Sequence, residues 1–469
     1  MTLDGLAAAD SAPVPAPGSE PASSWPLRLT RLPLVVRALT LAVLLPLGGL
    51  TLMVLADLVP DRLVMDELYE AVTTGSLDAE PYGIGYTGRQ VDEWSECKRI
   101  TIGLGDPSGT GPIESAVRSP TLGFCPTAVG SIVGWAEGEG LTSAYDYFRY
   151  WNGSAAVFRP SIAMFGVDGT RVLAAMSLVA SLGWFLWELR RRAGRLGTAL
   201  FAVPLVASTD FIDLPGALVQ AVGMVVLLVS AAMLLRWIPP DVSVGAAALA
   251  TFVAGATFLF FGDLTNPDAA WTTAVAAVGL AVAGSSSWQR TARTTVAATA
   301  GWIAGFAWMW FAKWVISALV IGYDTVRTVI TFQVEARLDG EQPGFDGSPL
   351  EGIRRSWSEW WAQPVTTLVV VGCTAVAVVA VVTRARRGEP GRWPTRALLA
   401  APVVIPVVWH AVLRSHTYVH AFFAYRSFAV AFGVLLLAAT ARLARAGRTE
   451  EPVDERSDDE PAAARAATT

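Results

Sequence analysis

The three histidines of the chain fall within a single segment of eleven residues. His416 and His420 are four residues apart, so a helix would place both on one face. Imidazole groups bind anions and exchange protons near neutral pH, and Tyr425 and Arg426 follow closely. We expect these four residues to bind the phosphate of a donor substrate. The other reading is membrane anchoring, because amphipathic side chains favour the headgroup zone.

Lys313 lies within the apolar stretch AWMWFAKW. A charged side chain inside a membrane-spanning segment costs about 3 kcal/mol and usually faces a cavity or a partner. We therefore predict that Lys313 joins the phosphate-binding group, with snorkelling to the outer interface as the alternative. His416 and His420 supply only two metal ligands. We assign no metal-binding residue and no certain cofactor, and a divalent cation stays open.

Acidic residues occur near the same ends of the apolar segments. A carboxylate beside basic groups can deprotonate an acceptor hydroxyl while the cations stabilise a departing phosphate. Each acid could also be an ordinary loop residue. We predict catalytic roles for Asp66, Glu67 and Asp210, with Asp66 and Asp210 the leading candidates. Asp213 is assigned to substrate binding, and the next turn carries Asp263 and Asp268.

Aromatic residues alternate with arginines just before the second apolar segment. Arg149, Tyr150 and Trp151 are followed by Arg159. Aromatic rings can stack on sugars and guanidinium groups can hold phosphate, so we predict that these residues bind substrate. An interface belt with snorkelling arginines is the equal alternative.

The composition predicts a polytopic, all-α transmembrane helical bundle. Hydrophobic residues make up 53% of the 469-residue chain, charged residues only 16%, and the mean hydropathy is +0.45. A run of about 20 apolar residues spans a bilayer, and the chain contains many such runs, so the lipid bilayer is its expected environment. Nucleic acid is not expected as a partner, because there is no basic domain or nucleic-acid motif.

Ten crossings place every arginine cluster of the short loops on one side, which the positive-inside rule identifies as the cytoplasm. Both termini are then cytoplasmic, and the loops 59–165 and 322–363 are extracytoplasmic. Residues 1–30 and 447–469 are predicted as disordered tails flanking a transmembrane domain, 31–446. Cys97 and Cys125 share the first external loop, where a disulfide can persist; the sequence leaves that bridge open. The predicted crossings are 32–58, 168–188, 197–211, 214–236, 243–262, 270–287, 295–321, 364–383, 396–413 and 420–440.

This layout resembles the GT-C superfamily of membrane glycosyltransferases, in an uncharacterised bacterial branch. The resemblance implies transfer of a hexosyl or pentosyl group from a polyprenyl-phosphate sugar to an external glycan, lipid or protein. It also implies a multi-pass protein of the bacterial plasma membrane with an extracytoplasmic active face. In that superfamily an acid early in the first external loop is the general base, a role that maps onto Asp66 or Glu67. The segments that carry the resemblance are 66–69, 150–153, 158–160, 313–314 and 416–426.

A transporter or flippase is the main alternative to an enzyme. In that case the lysine and histidines would line a substrate path or a proton relay. No internal repeat is evident in the sequence, which argues against the inverted-repeat transporter folds. A non-catalytic scaffold for envelope assembly is the third alternative. A new covalent product made without a gradient would separate the enzyme from the transporter.

Overall fold

The structure, a computed structural model, describes residues 32–79, 93–105, 110–141, 145–284, 287–338, 345–387 and 392–443. The tails predicted at 1–30 and 447–469 lie outside these residues, as do parts of both long loops.

The all-α prediction is confirmed, since the described chain is a helical bundle whose strands are a single pair of two residues each. Eight helical stretches of the described chain are long and apolar enough to cross a membrane, which indicates a membrane protein; two of them, Trp393–Val412 and Ala421–Thr440, consist of consecutive shorter helices. The first seven elements are α1 (Leu34–Asp57), α2 (Asp61–Thr73), α3 (Glu93–Ile100), α4 (Pro112–Arg118), β1 (Pro120–Thr121), α5 (Cys125–Ala136) and β2 (Tyr145–Asp146). The elements that follow are α6 (Ala155–Ala207), a 3₁₀ turn (Leu214–Gly216), α7 (Leu218–Trp237), α8 (Val244–Gly262), α9 (Pro267–Ala283), α10 (Trp288–Ile321), α11 (Tyr323–Leu338), α12 (Glu351–Ala362), α13 (Thr366–Arg386), α14 (Trp393–Ala400), a 3₁₀ turn (Ala401–Val403), α15 (Val404–Val412), α16 (Arg414–Val419), α17 (Ala421–Ala424) and α18 (Arg426–Thr440).

Helix α6 folds back on itself. The rings of Phe185 and Phe201 are 5.4 Å apart between centroids, whereas sixteen residues of continuous helix would separate them by about 24 Å. The reversal occurs at Gly194, whose φ of +80° suits glycine. The segments predicted at 168–188 and 197–211 are therefore two helices packed side by side. All ten predicted apolar segments are largely helical, and the number that cross a bilayer stays a prediction.

The arginine-rich ends of the helices meet at one end of the bundle, which we call the arginine end. Arg192 donates to the backbone oxygen of Leu235 at 3.1 Å, and Arg396 donates to that of Ala438 at 2.8 Å. Cationic side chains at the last carbonyls of a helix are favourable because they meet the negative end of the helix dipole. The same end holds Arg290 against Asp241, Arg384 against Thr440 and the backbone of Arg442 against Ala193.

The opposite end of the bundle, the loop end, carries α2 to α5 as a compact outer layer. One apolar core packs α2, α3 and α5 against the first residues of α6 and α7. Cys97 of α3 and Cys125 of α5 form a disulfide, with their Cα atoms 4.9 Å apart. The first loop thus contains short helices that share a buried core. Its central residues are Val64, Met65, Leu68, Ile100, Ile132, Phe158 and Leu218.

Helices α8 and α10 pack closely through glycine. A Cβ atom on Gly255 would lie 2.1 Å from the backbone oxygen of Trp302, and one on Gly305 would lie 1.9 Å from that of Phe252. Small residues let the backbones of neighbouring membrane helices approach in this way. The contact fixes α10, which carries Lys313, against the α8 end where Asp263 lies.

Candidate functional site

The turn between α8 and α9, residues 263–266, joins the outer layer to the bundle. Asp263 is completely buried, and its carboxylate forms an ion pair with Arg99 of α3. The same guanidinium donates to Asn152 Oδ1 at 2.7 Å. Burial raises the pKa of Asp263, and the neighbouring charge of Arg99 opposes that rise. Asp263 has φ +49° although it is not glycine, a strained conformation that only a firm surrounding structure sustains.

Three of the predicted site residues, Asp210, Tyr425 and Arg426, meet in one buried network. Arg426 Nε donates to Asp210 Oδ1 at 2.5 Å, and one Nη atom also bonds to Asp210 and, at 2.6 Å, to Gln220 Oε1. The Tyr425 hydroxyl accepts from the backbone N–H of Asp210 at 3.1 Å. Asp210 and Arg426 are 2% and 1% exposed. These hydrogen bonds tie α18 to the turn before α7 and to Gln220 of α7.

A second buried pair lies beside it. His410 Nε2 is 3.2 Å from Asp268 Oδ2 and 3.3 Å from the Ser427 hydroxyl. His410 and Asp268 are both buried inside the bundle. Ionisable groups inside a membrane bundle are costly and mark pathways or structural pairs.

Cationic side chains surround two buried tyrosines at the loop end, and we call this group the cationic cluster. The Arg149 guanidinium carbon lies 4.5 Å from the ring centroid of Tyr147, and Lys98 Nζ lies 4.6 Å from the same centroid. Arg337 of α11 donates to the Tyr150 hydroxyl. The two rings are 5.7 Å apart. The members of the cationic cluster are Lys98, Arg99, Arg149, Arg337, Tyr147 and Tyr150.

The cationic cluster carries excess positive charge. Arg99 is balanced by Asp263, but within the described ranges no carboxylate lies at ion-pair distance from Lys98, Arg149 or Arg337. Burial lowers the pKa of Lys98, and the charge on Tyr147 opposes this. Arg149 and Arg337 are only half-buried, so the excess charge reaches the protein surface. Such a group is suited to bind an anion, and guanidinium groups favour phosphate.

The histidine pair borders the cationic cluster. The rings of His416 and His420 are 4.6 Å apart, and His416 contacts the backbone of Leu264 in the α8–α9 turn. Burial, followed by the positive charges of His420 and Arg337, holds the pKa of His416 well below its usual value. His416 is therefore neutral at neutral pH, where it can donate or accept a hydrogen bond.

Lys313 is buried and points to the outer layer. Its Nζ donates to the backbone oxygen of Val117 at 2.7 Å and lies 5.6 Å from the ring centroid of Trp151. Val117 is in the last turn of α4, where a cation complements the helix dipole. The Trp151 indole N–H donates to the backbone oxygen of Met309 at 2.7 Å. Both residues thus fasten α10 to the outer layer, within the neighbourhood of Asp263.

The remaining predicted residues stand apart from the cationic cluster. Asp66 is on the face of α2 opposite its buried residues, with a side chain 56% exposed, 3.8 Å from Arg62. Glu67, half-buried on α2, faces Gly166. Arg159 is enclosed and donates to Asp61 at 2.6 Å and to three backbone oxygens. Asp213 is half-buried, and its N–H closes the turn onto the Asp210 oxygen at 3.0 Å.

Sequence reasoning singled out Arg149 and Tyr150 but missed Lys98, Arg99 and Arg337. Lys98 and Arg99 follow Cys97 directly, and this proximity to a loop cysteine was the only local signal. Arg337 ends a polar helix and looks like an ordinary surface charge. Among the described residues, no three His, Cys, Asp or Glu side chains are placed to hold a metal ion.

Comparison with known proteins gives no relative: no family model, no curated protein and no solved structure matches this chain.

Proposed function

We propose that this chain is a membrane glycosyltransferase of the GT-C type that uses a polyprenyl-phosphate sugar as donor. The acceptor is a glycan, lipid or protein, and the reaction takes place at the loop end, on the extracytoplasmic face of a bacterial plasma membrane. The observation that carries this proposal is the cationic cluster, in which Lys98, Arg149 and Arg337 have no carboxylate at ion-pair distance among the described residues.

A lipid phosphate matches the position and the charge of the cationic cluster. The cluster lies where bundle helices α8 and α10 meet the outer layer, so a lipid tail can stay in the membrane while its phosphate reaches the loop end. Lys98, Arg149 and Arg337 would then stabilise the charge that grows on the phosphate as it departs, and interactions that strengthen in this way raise the rate.

Two features support the proposed orientation. The Cys97–Cys125 disulfide belongs to the loop end, and disulfides persist outside the reducing cytoplasm. The arginine clusters gather at the opposite end, as the positive-inside rule expects of a cytoplasmic face.

The test is sugar transfer by purified protein supplied with polyprenyl-phosphate sugars and a mixture of glycan and lipid acceptors. A charge-assisted hydrogen bond contributes about 1.5–3 kcal/mol, so Arg149→Gln and Arg337→Gln should each lower transfer by about 10- to 100-fold. Arg327→Gln is the matched control, because Arg327 is exposed on the same helix as Arg337. Transfer by both cluster variants at the control rate, or no transfer by the native protein, would refute the proposal.

A proton-coupled transporter or flippase of a lipid phosphate is the second candidate, favoured by the buried His410–Asp268 pair. Such a pair could bind and release a proton inside the bundle. In proteoliposomes this function predicts gradient-dependent movement of the lipid that His410→Gln abolishes. Movement that is independent of the gradient, or unchanged in His410→Gln, would exclude it.

A further inference from the structure

Tyr147 occupies the centre of the cationic cluster. Its backbone N–H donates to the Arg118 oxygen at 3.0 Å, which fixes the segment after β2 beside the end of α4. Its phenol oxygen accepts from Arg149 Nη2 at 3.1 Å. The residue is 5% exposed, and the half-buried Arg149 connects it to the surface.

The charged groups that face Tyr147 are mostly positive. Helix α3 contributes Lys98 and Arg99, whose guanidinium carbon is 5.2 Å from the ring centroid. Arg149 comes from the tyrosine's own segment. Nearby, Arg118 is neutralised by Asp146 at 2.7 Å and by Glu114. Tyr145 and Tyr150 are the other titratable neighbours, and Asp263 is committed to Arg99.

This surrounding favours the phenolate. Burial by itself would raise the pKa of Tyr147, but Arg99, Lys98 and Arg149 outweigh it and lower the pKa to about 7. An ordinary tyrosine has a pKa of about 10. The three cations around the ring therefore favour the ionised form of Tyr147. A general base works best when its pKa lies near the working pH.

The sequence candidate for this role lies elsewhere, because Asp66 faces away from the outer-layer core on the exposed side of α2. The buried carboxylates at the loop end already have partners: Glu96, Asp263 and Asp210 are bound to arginines, and Asp268 is paired with His410. Among the described residues of the cationic cluster, Tyr147 is a group whose pKa lies near neutrality, so its phenolate can accept a proton.

We propose that the Tyr147 phenolate is the general base for the acceptor hydroxyl, an inference that rests on the glycosyltransferase function proposed above. The acceptor proton moves to the phenolate oxygen as the acceptor oxygen bonds to the anomeric carbon of the sugar. The bond from that carbon to the phosphate oxygen breaks, and its electron pair leaves with the phosphate. Lys98, Arg149 and Arg337 hold the released phosphate.

The first measurement is the ultraviolet absorption of tyrosinate during a pH titration of the purified protein. Of the nine tyrosines, one should ionise near pH 7. Tyr147→Phe should lose this early transition, and Tyr323→Phe, which removes a 65% exposed tyrosine, should keep it. Arg149→Met should move the transition to higher pH while Tyr147 stays in place. A native protein without a tyrosinate near neutral pH overturns this inference whatever its activity.

The second measurement is the pH–rate profile of sugar transfer. Native protein and Tyr323→Phe should lose activity as the pH falls through about 7. Tyr147→Phe should be slower by about 10²- to 10⁴-fold and should lack that limb, with thermal unfolding confirming that it is folded. An unchanged limb in Tyr147→Phe overturns the base role. If the native protein ionises near pH 7 but transfers no sugar, the glycosyltransferase function fails, while the ionised tyrosine stands.

Discussion

The buried Asp210–Arg426 pair gives a sharp test of whether these residues serve folding or chemistry. Asp210→Asn keeps the shape of the side chain but leaves the Arg426 charge 1% exposed without its counter-ion. Asp210 receives the Nε bond and one Nη bond from Arg426, and each charge-assisted bond contributes about 1.5–3 kcal/mol. The expected loss is about 3–5 kcal/mol, the usual cost of breaking a buried pair. That corresponds to a decrease of roughly 150- to 5,000-fold in the ratio of folded to unfolded protein.

The assay is unfolding of the purified protein in detergent, by heat and by denaturant. Asp213→Asn is the control, since Asp213 is three residues away in the same turn and half-buried; its transition should stay close to the native one. The double variant Asp210→Asn/Arg426→Gln removes both charges and should recover part of the loss. If Asp210→Asn had the same unfolding transition as the Asp213→Asn control but had lost activity, the structural role would be refuted. Asp210 would then again be a catalytic candidate.

Gly305→Ala should destabilise the α8–α10 contact by about 1–3 kcal/mol because the new methyl group meets a backbone oxygen. Gly372→Ala is the control, because no atom lies within 4 Å of its new methyl group, and it should unfold like the native protein. Equal unfolding transitions for the two variants would contradict the packing argument. Cys97→Ser removes the disulfide that closes a loop of 28 residues, and the chain-entropy account predicts a loss of about 3–4 kcal/mol in the free energy of unfolding. Native protein with its disulfide reduced should unfold like this variant. His416 should make the fold acid-sensitive: its folded pKa lies below the ordinary 6.5, so the unfolded chain binds a proton below pH 6.5 that the folded chain does not, and stability falls with falling pH. His416→Gln should reduce that fall in thermal unfolding, and an identical pH dependence would rule out the role.

The helical segments could be predicted from the sequence because the bilayer imposes a local rule. A run such as 214–236 has to be helical in lipid, since every backbone polar group must find its partner within the segment. Helix α7 accordingly occupies Leu218–Trp237. The reversal at Gly194 was also foreseeable, because two short apolar runs flank an arginine cluster. How the helices pack was not foreseeable, since apolar faces that meet lipid and those that meet protein have similar compositions.

The candidate site was only partly foreseeable. Arg149 and Tyr150 stood out by their aromatic and basic neighbours, and both belong to the cationic cluster. Asp66 stood out by its position after the first span, but the helical phase of α2 turns it outward, with Val64, Met65 and Leu68 on the buried face. A shift of one residue in the phase of a short helix moves a side chain from the core to the surface. The loop sequence carries no periodicity strong enough to fix that phase.

By itself the sequence determined the class of fold, the apolar segments and the separation of the arginine clusters from the histidines, because each follows from the solvation of side chains and backbone in lipid. Only the tertiary structure decided which partners the charged side chains have. The sequence showed no partner for Arg426 or Lys313. In the structure Arg426 donates to Asp210, and Lys313 donates to the Val117 carbonyl. Arg337 looked ordinary, yet it meets Tyr150 from 187 residues away. Ion pairing depends on distances of a few ångströms between remote segments, and no local pattern encodes those distances.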